Sequence, residues 1–141
     1  MGLVFCPALD DPGLEKAYRD ASRRAGNGQG VFVSPNAPAT TLIDEDPDRA
    51  WSEVGPFLLH HAETYGAWSH PDRRAYAEAR GRSVEALRKE GKYRILTPEE
   101  AARALVDRGS LHLAPLTSGI DPGFGWGTLE LFESRVEPLL T

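Results

Sequence analysis

Along this chain, short continuous apolar runs alternate with longer stretches that carry an apolar residue every third or fourth position. Gly2-Leu3-Val4-Phe5-Cys6, closed by Pro7, is the first short run and reads as a strand buried on both faces of a parallel sheet. Asp10-Asp11-Pro12 then sets a capping carboxylate before a proline at the first helical position. Leu14, Ala17, Tyr18, Ala21 and Ala25 follow at helical spacing as far as Gly26. Val31-Phe32-Val33 and Thr40-Thr41-Leu42-Ile43 are strand-like again, separated by Pro35 and Pro38, and the pattern leaves open whether they form two strands or one interrupted strand.

Asp46-Pro47 opens a second helix by the same capping logic, with Ala50, Trp51, Val54, Leu58, Ala62 and Tyr65 in one apolar stripe. Gly55-Pro56 lies inside that stripe. A proline there removes a backbone hydrogen bond and crowds the preceding turn, so a kink or a break near Val54 is expected. His70 to Gly91 is dense in charge and poor in large apolar residues, which reads as an exposed, mobile excursion, partly helical from Ser83 to Glu90. Tyr93-Arg94-Ile95-Leu96 predicts a strand. Thr97-Pro98-Glu99-Glu100 predicts a capping box, with Thr97 as cap and Glu100 reaching back, on a helix that ends by Gly109. Ser110 to Leu116 predicts the last strand, and Asp121-Pro122 the last helix, which bears Trp126, Leu129, Phe132 and Val136 until Pro138. Strands that alternate with helices in this way define an α/β domain with parallel strands and right-handed crossovers.

Composition narrows the classes. The 141 residues suit one domain, and 16 Lys plus Arg against 21 Asp plus Glu give a net charge of −5 with no basic run to track phosphates. Nucleic acid is therefore not an expected partner. No apolar stretch approaches the roughly 20 residues that cross a bilayer, so no membrane partner is expected. The start, Met1 to Phe5, lacks the basic flank of a signal peptide, and a cytoplasmic location is the expectation. The single cysteine, Cys6, sits in an apolar run and reads as a buried, inert thiol.

Few residues suggest chemistry directly. Gly119, Gly123, Gly125 and Gly127 crowd the start of the last helix, where free backbone N–H groups can meet an anion, but they match neither a dinucleotide fingerprint nor a P-loop. A loop that merely allows a tight turn is the stronger reading of them. His60-His61 with Glu63 does not have metal-ligand spacing, because neighbouring side chains on a helix diverge by about 100°. One half-buried and one solvent-facing histidine are expected there, and no metal. No catalytic nucleophile is identified.

Three stretches taken in order resemble the C-terminal part of the luciferase-like flavin-dependent oxidoreductases, the family of bacterial luciferase and its monooxygenase and deazaflavin-using relatives. They are Asp44 to Ala62 continuing through Tyr65 to Trp68, then Tyr93 to Ala101 with its Thr97-Pro98-Glu99-Glu100 helix start, and Pro115 to Pro122 continuing through Trp126, Leu129 to Phe132 and Val136 to Pro138. The resemblance implies a partial β/α barrel of TIM type, with three to four mostly parallel strands and flanking helices. It also implies flavin mononucleotide or a deazaflavin as cofactor, or none held by this chain alone. A whole barrel of that type takes about 250 residues, so the chain is expected to be catalytically incomplete alone, or else a non-enzymatic dimerisation or subunit-binding module derived from the fold.

An open set of strands leaves an edge to be covered. A second copy, a separately encoded N-terminal barrel portion, or closure by the second helix and the 70–91 segment would cover it. Functional groups in such folds gather at the C-terminal strand ends, which points to His112, Thr117 and Ser118 as pocket residues. His60 and Trp68 are candidate lid or wall residues.

Overall fold

A computed structural model of the chain describes residues 4–7, 11–70 and 75–140. Gly2, Leu3 and Asp10, invoked above for the first strand and the first cap, lie outside them, as do residues 71–74.

The described residues form a mixed α/β fold with short parallel strand pairs. Strand β1 (Val4–Phe5) pairs in parallel with β2 (Val31–Phe32), and helix α1 (Pro12–Arg24) joins them. Strand β3 (Thr40–Ile43) pairs in parallel with β4 (Tyr93–Leu96), in a register that sets Thr41 opposite Arg94 and Leu42 opposite Ile95. Val31-Phe32-Val33 and Thr40 to Ile43 are thus two strands in two separate sheets. Between β3 and β4 run α2 (Pro47–Ala67) and α3 (Val84–Glu90), and after β4 come α4 (Pro98–Arg108) and α5 (Pro122–Leu131). The chain then continues through a π-helical turn (Phe132–Val136) and a 3₁₀ turn (Glu137–Leu140), so Pro138 does not end the helical path.

Each α-helix begins where the local chemistry places it. Asp11, Asp46, Thr97 and Asp121 each accept a backbone N–H of the first turn, and each precedes a proline whose φ is already helical. Pro56 does not interrupt α2. Ser52 and Pro56 both face solvent, so the carbonyl left without its helical donor lies on the wet side, while Trp51, Val54 and Leu58 hold the opposite side in the core.

Strand order departs from that of a complete barrel. Thr41 bridges Leu113 in parallel, and its N–H donates to His112 O at 2.8 Å, so β3 has β4 on one side and the 111–113 segment on the other. A barrel adds strands in chain order, which would seat Leu113 beside β4. Helices also cover both faces of this sheet. Leu42, Tyr93 and Ile95 pack with the α2 stripe and Leu87 of α3, while Ile43 and Leu96 pack with Ala101, Ala102 and Val136. All four β3 residues are buried as a result, and no closed barrel is present among the described residues. The predicted last strand shrinks to the single bridge at Leu113, because Pro115 and the turn that follows carry the chain away from β3.

Two further expectations change. In the 70–91 segment, the described residues from 75 onward place Ala77, Ala79 and Leu87 in the core. Alanines carry little hydrophobic signal, yet they suit close packing against α2. At the N-terminal end, Val4 is 67% and Val31 44% exposed, and Cys6 is exposed rather than buried. The β1–β2 pair has α1 against it, through Phe5, Tyr18 and Phe32 ring contacts at 5.4–6.1 Å, and among the described residues no second helix packs on it.

Candidate functional site

Between the β1–β2 pair and the main sheet opens a cleft of about 690 Å³, within the range that holds small organic ligands. Its apolar wall comes from β1 and β2 and the residues after them, with Leu111 opposite. Its polar groups are Ser34, Tyr76, Arg94, Arg108, Ser110 and His112.

Arg94 is the unusual member. Tyr93 and Ile95 of β4 turn into the α2 side of the sheet, so strand alternation sends Arg94 to the other face. There one guanidinium nitrogen donates to Thr41 Oγ1 at 3.1 Å, while its Nε is buried and has no hydrogen-bond partner. Burial, with the neighbouring charge of Arg108, pulls the Arg94 guanidinium below its ordinary range. Arg108 reaches the cleft from the last turn of α4. Among the described residues no acidic side chain lines the cleft and neither arginine is in an ion pair.

His112 sits at the rim in a defined tautomer. Its Nδ1 lies 2.6 Å from Ala39 O, and a carbonyl can only accept, so Nδ1 carries the proton. Nε2 is then the ring's free acceptor. Tyr76 donates its hydroxyl to Pro38 O at 2.7 Å and lies 3.2 Å from the same Nδ1. Lys92 organises this wall from behind. Its Nζ donates to Pro35 O and Ala37 O, each at 2.7 Å, and stands 4.9 Å from the Tyr76 ring centre. Cys6 lies at the mouth of the cleft, where partial shelter pushes its thiol up and Lys92 offsets this only in part. The thiol is protonated at neutral pH and is not an activated nucleophile.

Of the five residues named from sequence, the cleft takes in only His112. Thr117 and Ser118 lie in the turn before α5 with their hydroxyls 3.2 Å apart, and Ser118 adopts a left-handed φ of 63° beside Gly119 at 76°. His60 is exposed on α2. Trp68, at the C-cap of α2, is 71% exposed and rests its ring 5.3 Å from that of Tyr65. His61, not His60, is the half-buried member of the pair. Arg94, Arg108 and Tyr76 were not singled out in the sequence. The available signal was a lone cation inside the apolar strand Tyr93-Arg94-Ile95-Leu96.

Among the described residues, no group of three or more His, Cys, Asp or Glu is placed to hold a metal ion, and no helix is long and apolar enough to cross a membrane. For a flavin, the cleft offers an apolar wall for a ring system and the charges of Arg94 and Arg108 for a phosphate, so the residues fit the group. Compared with protein-family models, characterised proteins and solved structures, the chain matches none.

Proposed function

We propose that this chain is a segment of a luciferase-like flavin-dependent oxidoreductase, derived from the late part of the barrel and catalytically incomplete alone. Support comes from where the three resembling stretches fall. The first leads from β3 into α2, the second from β4 into α4 through the Thr97 capping box, and the third from the 111–113 segment into α5. The observation that carries the reading is the cleft, which joins an apolar wall to two arginines that have no counter-charge among the described residues.

In this reading Arg94 and Arg108 hold the phosphate end of flavin mononucleotide or of a deazaflavin, and the β1–β2 wall shelters the ring from water. The bound group would supply hydride transfer or reaction with oxygen, and the protein position and electrostatics. His112, with Nδ1 tied to Ala39 O, presents Nε2 as an acceptor at the rim. The finer fold implied is a partial β/α barrel whose last strand has docked beside β3 instead of β4. A second copy or a separately encoded barrel portion would supply the remaining wall along the exposed β1–β2 pair.

A second reading, a non-enzymatic dimerisation or subunit-binding module, is favoured by that same pair, which exposes Val4 and Val31 while the chain's own helices close the main sheet on both faces. Native mass spectrometry with excess flavin mononucleotide or deazaflavin tests both. The oxidoreductase reading expects flavin on an oligomer or a two-chain complex and none on the monomer. A monomer loaded one to one overturns the claim of incompleteness. An oligomer that takes up neither flavin overturns the cofactor and leaves the binding module.

A further inference from the structure

We infer that the cleft is a binding site for an amphipathic aromatic anion, with its acid group on Arg94 and Arg108 and its flat body against the wall formed by Phe32, Val33 and Leu111. This rests on the cleft alone and stands apart from the flavin reading.

The charge arrangement carries the argument. Two cations approach one another at the edge of an apolar cleft that has no carboxylate among the described residues of its walls. Repulsion between like charges grows as the local dielectric falls, so the folded chain holds an unfavourable pair that an anion would relieve. Arg94 Nε is buried and has no hydrogen-bond partner, so part of the guanidinium has lost its hydration without a replacement. One terminal nitrogen of Arg94 is engaged by Thr41 Oγ1, which positions the side chain, so that its charge and that of Arg108 meet an acid group in the cleft together.

The wall sets the rest of the ligand. Phe32 and Tyr76 contribute ring surface, Val33 and Leu111 aliphatic surface, and His112 and Ser110 the polar groups near the mouth. An open cleft of about 690 Å³ between two small sheets admits a slab-shaped body. The helix-start glycines at Gly123, Gly125 and Gly127 do not line this cleft and play no part.

The test is calorimetric titration of the full chain with 1-naphthoate, 1-naphthyl phosphate, 1-naphthylmethanol and flavin mononucleotide, repeated with Arg108→Gln and Arg94→Gln. Arg108 is exposed at the end of α4, so R108Q keeps the fold, which circular dichroism checks, and the test does not hang on the buried arginine. One or both naphthyl anions should bind at least about tenfold tighter than the neutral alcohol, and R108Q should remove about tenfold of that affinity. Naphthoate alone would place a carboxylate at the arginines, and the phosphate alone a phosphate monoester; either supports the site. Equal binding of anions and alcohol, no loss in R108Q, or no naphthyl binding overturns it. Flavin bound while the naphthyl anions stay silent also overturns it and leaves the flavin reading standing. Naphthyl anions bound while flavin stays silent uphold it and remove the flavin.

Discussion

Thr128 completes the hydrogen bonding of Ile43. Its hydroxyl accepts from the Ile43 N–H and donates to the Ile43 carbonyl, both at 3.2 Å, and both residues are buried. On this side of β3 the strand partner reaches only as far as Thr41, whose N–H meets His112 O. Two residues further on, a side chain from α5 does the work of a missing strand. The short parallel sheet can therefore end inside the protein without an orphaned donor.

Thr128→Val tests this substitution of side chain for strand. Valine keeps the shape but leaves the N–H and C=O of Ile43 buried without partners, so the variant should lose about 2–3 kcal/mol of stability. Thr128→Ser should retain most of it. The readout is the urea midpoint, with an unchanged slope showing that the unfolding reaction is the same.

The Thr97 capping box should behave as one unit. Glu100 N–H donates to Thr97 Oγ1 at 3.2 Å, and Thr97 N–H donates to the Glu100 carboxylate at 3.0 Å. Thr97→Ala should cost about 1 kcal/mol. Because both bonds fix the same turn, the double variant with Glu100→Ala should cost less than the sum of the singles. A double-mutant cycle by chemical denaturation reads the difference.

Two glycines of α5 should respond in opposite directions to the same change. A Cβ on Gly125 would collide with the Pro115 carbonyl, whereas around Gly127 nothing lies within 4 Å. Gly125→Ala should destabilise by about 1–3 kcal/mol through forced movement of the backbone. Gly127→Ala should stabilise by about 0.5–1 kcal/mol through the lower helical entropy cost of alanine. Thermal unfolding of the two variants separates a packing glycine from a merely permissive one.

What was legible in the sequence is local. Asp11, Asp46, Thr97 and Asp121 each stand before a proline, and each caps its helix, because the bond is made within two or three residues of the cap. Strand order depends on contacts across the chain. Nothing between Tyr93 and Leu116 records that Leu113 will dock on Thr41, 72 positions away, instead of on β4. Exposure of Cys6 was hidden for the same reason, since an apolar run implies burial only when another layer covers it. The cleft was the least legible feature. His112 was visible as a polar residue in a strand, but Arg94 gains its meaning from having Arg108 beside it and no acid among the described residues of the cleft walls.

The last prediction concerns pH and the pair His61–Tyr93. Tyr93, fully buried, donates its hydroxyl to Ala77 O at 2.7 Å, so its oxygen is free to accept from His61 Nδ1–H at 2.8 Å. Burial, with lesser contributions from Tyr65 and Glu90, holds the phenol above its ordinary range, so it stays a donor. His61 is shifted downward from its ordinary 6.5, chiefly by burial and then by the charge of His60. Its neutral form is therefore favoured by folding. As pH falls, the unfolded chain takes up the proton first, so the stability tied to His61 is complete above 6.5 and is lost as pH falls through the lower folded value. His61→Gln removes this dependence. The stability gap between wild type and H61Q should narrow between about pH 8 and pH 5 when urea midpoints are compared at matched ionic strength. A gap constant over that range would mean that desolvation of His61 does not govern the pair. Tyr93→Phe should lower stability by about 1–3 kcal/mol, since Ala77 O and His61 Nδ1–H both lose their partner.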